Sequence, residues 1–199
     1  MKDLFDELDN YWANNRLIDL GVQLSLSDNV LQFTWGTTPF STFVQMINLV
    51  DIPKRFVVFG SSIGFQCFYF RSIFSEIEIV GYDIHPSRVD FSNKILQKYN
   101  IKNCQFILDD IQNAKIESGD LIWQNNLCMD IDFLDHLNFK ILSTNQNIQM
   151  VSYKPVLQDF VTGKDIFMID HTGNFRSYSS SCHHFPTSWS REQNFFVIK

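Results

Sequence analysis

Positive charge, paired cysteines and long apolar runs are all scarce in this 199-residue chain, and each scarcity removes a class of function. Lysine and arginine number 16 against 22 acidic residues, giving a formal net charge of −6 at pH 7. Neutralising a phosphate backbone needs a clustered cationic excess, so autonomous nucleic-acid binding is not expected. Cys67, Cys104, Cys128 and Cys182 are widely spaced and form no C-x-x-C pair, which argues against a zinc site or a disulfide framework and fits a reducing compartment. Cys182-His183-His184 has the residue types of a metal site but no second ligand pair at a usable spacing, so no metal is expected. No run approaches the roughly 20 apolar residues of a membrane span. The opening MKDLFDELDNYW carries acid where a signal peptide is basic and then apolar, so neither membrane nor export is expected, and the location read from it is cytoplasmic or nuclear. Repeats and low-complexity stretches are also missing.

What is present is a globular balance, 45% hydrophobic and 19% charged, in a length that suits one substantial core. Residues 1–34 read as an N-terminal helical cover, with Leu4, Phe5, Leu8, Tyr11 and Trp12 on one face of a helix, and residues 35–199 as a single domain. From about residue 38 short apolar runs alternate with helical patterns. Thr38 as N-cap and Pro39 in the first turn predict a helix that ends near Asp51. A strand over 55–59, a turn over 60–64 and a helix through Phe74 follow, then a strand over 77–82 that ends at Asp83, and a helix opened by Pro86. Further strands are expected over 104–108, 121–123 and 148–153. They lead into Asp109-Asp110, into Gln124-Asn125-Asn126 and into Lys154-Pro155 respectively. The tail changes character: FMID, a turn at 171–173 and a terminal FFVI run predict an antiparallel hairpin added to a parallel sheet.

Every parallel strand thus delivers polar residues at its carboxyl end, the edge where open α/β sheets bind ligands. Gly60-Ser61-Ser62-Ile63-Gly64 sits directly after a strand, where small residues let a ligand approach the backbone; alone, such a run is as readily a plain turn. Asp83 lies about 20 positions on, at the next strand tip, where a carboxylate can accept both hydrogen bonds of a ribose. Both NAD and S-adenosylmethionine satisfy that chemistry. Asp110 is placed to accept from an adenine amino group, with a helix cap as the alternative, and for Asp109 a capping role is expected. Asn125-Asn126 can orient an amine without carrying charge, although Asn pairs also serve turns. His85 reads as a loop histidine beside the ribose acid.

Several segments, taken in order, resemble the non-SET histone lysine methyltransferases named for disruption of telomeric silencing. WGTTPFSTFVQMI is similar to that family's entry loop and helix, FVVFGSSIG to its cofactor turn, GYDIHP to its ribose loop and LDDI to its adenine loop. QNNL resembles its catalytic asparagine segment, VSYKP the run after its fifth strand, and TSWS with FFVI its terminal hairpin. The resemblance implies a Rossmann-like class I methyltransferase: a mainly parallel seven-stranded sheet with a C-terminal antiparallel hairpin and helices on both faces.

It implies S-adenosyl-L-methionine as cofactor and a protein lysine as acceptor. Thr38, Gly60, Ser61, Ser62 and Gly64 would surround the methionine part, Asp83 and Ile84 the ribose, and Asp110 and Ile111 the adenine. Asn125 would sit between donor methyl and acceptor amine, while Trp35, Met129 and Phe196 would wall an apolar channel for the lysine, lowering its pKa by disfavouring the charged form. The departures are Val58 and Ser62 around the glycine turn, Thr37 for a glutamate, Phe65 for a glutamine, and Phe195 and Phe196 for tyrosines. A long basic extension is also absent from the matched pattern. They keep two alternatives open: a methyltransferase for a small molecule or another acceptor, and a silent module that retains the fold.

Overall fold

The computed structural model describes residues 2–26, 38–127, 129–144, 147–154, 165–169, 175–187, 190 and 193–199. Its centre is a sheet whose strands are β1 (Arg55–Phe59), β2 (Glu78–Asp83), β3 (Cys104–Leu108), β4 (Asp120–Gln124), β5 (Gln149–Ser152), β6 (Asp165–Ile169), β7 (Phe175–Phe185) and β8 (Gln193–Ile198). They lie in the order β3-β2-β1-β4-β5-β8-β7-β6. The first five are mutually parallel, and β8 enters antiparallel beside β5. The expected mainly parallel sheet with an antiparallel C-terminal hairpin is therefore present. The expected seven become eight because a strand not expected from the sequence, β7, stands between FMID and FFVI: FMID in β6 pairs with β7 at the outer edge and FFVI in β8 inserts between β5 and β7, so the two do not pair with each other. The turn expected at 171–173 lies outside the described residues.

Strand alternation divides the core. In β1, Phe56 and Val58 join one apolar cluster and Val57 and Phe59 the other, as a strand covered on both faces requires. The first cluster is covered by α2 (Phe40–Ile47), α3 (Phe65–Ile73) and α4 (Pro86–Lys98), and by the start of α1 (Lys2–Leu26). The second is covered by α5 (Ile131–Thr144) and a 3-10 turn at Ile111–Asn113. The first turns of α1 pack as the apolar stripe predicts: Leu4 and Leu8 are buried, Tyr11 stacks on Phe91 at 3.8 Å, and Glu7 accepts from Lys98 Nζ at 2.6 Å and the Tyr99 hydroxyl at 2.8 Å.

Two expected details change. Pro39, not Thr38, caps α2, with no side-chain hydrogen bond; the Thr38 hydroxyl is drawn away to that of Tyr153. The helix stops at Ile47, before Asp51. Elsewhere Pro86 occupies the first turn of α4 as its fixed φ favours.

Candidate active site

The chain leaves β1 to build β2 and β3 on one side, then returns to build β4 and β5 on the other, so the sheet's switch point falls between the carboxyl ends of β1 and β4. The turn after β1 begins with Gly60 at φ 68° and runs through Ser62 at φ 50° to Gly64 at φ 90°. Gly64 is obligatory: a Cβ there would lie 2.5 Å from Phe106 Cζ and 2.7 Å from Phe68 Cε2, in a left-handed backbone. Gly81 in β2 has the same purpose from below, since a Cβ on it would come within 2.8 Å of Ser61 Cβ. The turn thereby rests directly on β2, with Ser61 N donating to Tyr82 O at 2.9 Å.

Asp83, at the tip of β2, is nearly buried and accepts from Ser62 N at 2.7 Å through Oδ2 and from His85 N at 2.9 Å through Oδ1. It therefore shapes the glycine turn as well as facing the edge, and each oxygen keeps a second lone pair. Ile84 beside it is 59% exposed, whereas Ile111 is packed into the second core cluster. Asp110 is exposed and caps the 3-10 turn: Oδ1 accepts from Gln112 N at 2.9 Å. Asp109 organises the same loop, accepting from Asp110 N at 2.7 Å and Asn113 Nδ2 at 2.9 Å. Asp83 and Asp110 share one edge, because Asp83 pairs with Leu108 across β2 and β3.

Across the switch point, Asn125 closes on the glycine turn. Its backbone N donates to Phe59 O at 3.0 Å and Nδ2 to Gly60 O at 2.8 Å, while Oδ1 accepts from Trp123 Nε1 at 3.1 Å and Gln66 Nε2 at 3.4 Å. Its neighbour is a different kind of residue. Asn126 is fully buried and bonds Ser152 Oγ at 2.7 Å and Tyr153 N at 3.1 Å, so it ties β4 to β5 and is not an acceptor-orienting partner of Asn125. Met129 also comes to the turn, its Cε 3.7 Å from the position a Cβ on Gly60 would take.

Phe196 does not join this group. Alternation along β8 puts Phe195 and Val197 in the cluster that holds Trp123, so Phe196 projects from the opposite face. It is Phe195 that packs on Trp123 and Tyr153, at 6.2 and 4.9 Å between rings. Trp35 lies outside the described residues.

Gln66, Trp123 and Tyr153 went unread as site residues. Tyr153 is buried, its hydroxyl shares a hydrogen bond with that of Thr38, and burial pushes its phenol up to about 12. Gln66, the residue after Phe65, is buried and donates to Asn125 Oδ1 at 3.4 Å. The only sequence signal for the group was a set of polar residues at strand ends and helix starts. Chemically the arrangement orients and excludes water; none of Asn125's hydrogen-bond partners among the described residues is an acid or base at neutral pH.

A family model for a methyltransferase domain matches residues 55–167, more than half of the chain. No curated protein matches. Among solved structures, the bifunctional kinase-methyltransferase WbdD superposes with a TM-score of 0.54 at 13% identity, covering 91% of this chain and 46% of that one. The Pyrococcus abyssi tRNA (uracil-54, C5)-methyltransferase, solved with S-adenosyl-L-homocysteine, gives 0.50 at 13% identity, covering 79% of this chain and 37% of that one. The chain spans about half or less of the length of such structures, and at these identities the likeness is one of fold. The fold, the glycine turn at its switch point and the matched span agree: the chain belongs to the methyltransferase domain family.

Proposed function

We propose that the chain is an S-adenosylmethionine-dependent methyltransferase whose acceptor is the side-chain amine of a protein lysine. The observation that carries this reading is the convergence of Gly60, Asp83 and Asn125 on one carboxyl edge, at the switch in strand order. Three features fit the cofactor. Gly60 offers side-chain-free backbone, with the nearest atom to a Cβ there at 3.4 Å. Ser61 Oγ is buried and has no hydrogen-bond partner among the described residues, which leaves a donor for a bound ligand. Asp83 retains one lone pair on each oxygen for ribose hydroxyls.

The cofactor supplies a methyl group on sulfur, activated by the sulfonium charge. The chain's own part is positional. With the cofactor bound, Asp83 would hold the sugar, Gly60 and Ser61 the methionine part, and Asp110 would accept from the base with its remaining lone pairs. Asn125 borders the acceptor with an uncharged amide. Trp123, Tyr153 and Phe195 form an aromatic wall behind it, and such a wall disfavours ammonium, so the amine enters with its lone pair free. No carboxylate is needed as base, because orientation supplies most of the acceleration.

Incubation with methyl-labelled S-adenosylmethionine and either a protein lysate or a metabolite pool tests the acceptor. Label is expected in protein, recovered as methyl-lysine on hydrolysis; label confined to small molecules rejects the lysine assignment and favours a small-molecule methyltransferase. A second reading, a binding module without turnover, is favoured by one observation: Ser62 and His85 amides already hold both Asp83 oxygens. Millimolar or absent binding of the cofactor, with no transfer to either pool, supports it.

A further inference from the structure

The side-chain amide of Asn125 is fixed end for end. Its oxygen accepts from the Trp123 indole Nε1 at 3.1 Å, a group that only donates, and its nitrogen donates to the Gly60 carbonyl at 2.8 Å, a group that only accepts. Turning the amide over would set oxygen against oxygen at Gly60 and N–H against N–H at Trp123, so the two contacts together select one orientation. Gln66 Nε2 reaches the same oxygen at 3.4 Å, too long to hold it alone. Committed in this way, the half-buried Asn125 keeps one Nδ2 hydrogen for what enters the edge between β1 and β4.

We infer that Trp123 is a positioning residue for methyl transfer, its indole N–H holding the amide of Asn125 in one orientation at the switch point. The inference rests on the reading that Asn125 borders the transferred methyl group. Trp123 is fully buried and Asn125 half-buried, so the bond reaches the amide from its dry side, where water does not stand in for a lost donor. Strand geometry brings the pair together: positions 123 and 125 are two apart where the chain leaves β4, on the side that carries Trp123 into the first apolar cluster. Packing alone does not call for an indole. The ring meets Phe43 at 5.1 Å, Tyr153 at 6.3 Å and Phe195 at 6.2 Å between centroids, contacts that a phenyl ring also makes. What the indole adds is a buried N–H, and such a group costs desolvation unless an acceptor is built beside it. The amide oxygen of Asn125 is that acceptor.

Trp123→Phe, Asn125→Ala and the double variant of the full chain test this. Initial rates of label transfer from S-adenosylmethionine to lysate protein are read beside S-adenosylhomocysteine affinity and the nuclear magnetic resonance signal of the Trp123 indole N–H. Trp123→Phe is expected to bind the nucleoside within about threefold of wild type, to transfer at least about tenfold more slowly, and to add no further loss in the Asn125→Ala background. The indole signal is expected to shift in Asn125→Ala, as its acceptor is removed. Wild-type turnover in Trp123→Phe, a loss of nucleoside affinity equal to the loss of rate, a loss of rate that multiplies independently of Asn125, or an unmoved indole signal overturns the inference and leaves the methyltransferase reading intact. Full turnover in Asn125→Ala overturns the inference together with the role of Asn125, and no transfer to protein by the wild type overturns the proposed function as well. Should Trp123→Phe not fold, benzothienylalanine at position 123, which keeps the bicyclic shape and carries sulfur in place of the N–H, is put through the same cycle with the same expectations.

Discussion

Single residues at this site do two things at once, and the mutations that matter are those that separate them. Asn125 binds the glycine turn and borders the proposed transfer point, so Asn125→Ala is expected to slow turnover more than tenfold while nucleoside affinity changes by less than about threefold. Equal losses in both would make Asn125 a structural clasp. Away from the site, burial pushes the Cys67 thiol well up and that of Cys104 to about 12. At pH 8 almost no thiolate is present at either, and native protein should leave both unmodified by a thiol reagent while the urea-unfolded chain reacts fully. Labelling of Cys67 in the native protein at the unfolded rate would contradict the burial. Asp83 was legible as a residue because strand tip and spacing both single it out. Tyr153 and Gln66 were not, since their partners lie 115 and 59 positions away and nothing local in the chain records the meeting.

At the scale of elements, the glycine turn and the β1–β4 pair carry the geometry. Gly64→Ala meets both a left-handed backbone and the rings of Phe68 and Phe106, and should cost roughly 2–5 kcal/mol in denaturant unfolding; a loss below about 1 kcal/mol would mean that the rings move aside freely. At the opposite end of the same strands, Arg55 holds Asp120 through Nε at 3.1 Å and Nη2 at 2.7 Å, with Asp120 nearly fully buried. Arg55→Ala strands that carboxylate and is expected to destabilise by about 3–5 kcal/mol, whereas an effect typical of a surface pair, under about 1 kcal/mol, would show that water reaches Asp120. Elements with a single strong period were readable: β1, β3 and the Pro86 start of α4 fall where apolar runs and proline place them. Thr38 misled because a good N-cap residue has a stronger competitor for its hydroxyl, the buried Tyr153. Phe195 and Phe196 misled for another reason, since a shift of one residue in a strand exchanges the faces and two adjacent phenylalanines give no sign of which faces in.

The whole molecule is a switch-point machine: one strand order, read at one edge, gathers tips that sequence separates by dozens of residues. Its parallel half was legible because each β/α unit is local, while the order β5-β8-β7-β6 depends on pairings across the tail that no local pattern specifies. That gathering is the central claim, and calorimetric titration of the full chain with S-adenosylhomocysteine tests it most directly. Saturable one-to-one binding tighter than about 1 mM is predicted for the wild type, weakened by roughly 1–3 kcal/mol in Asp83→Ala. Absence of binding to the wild type, or an Asp83→Ala dissociation constant equal to it, would contradict the account.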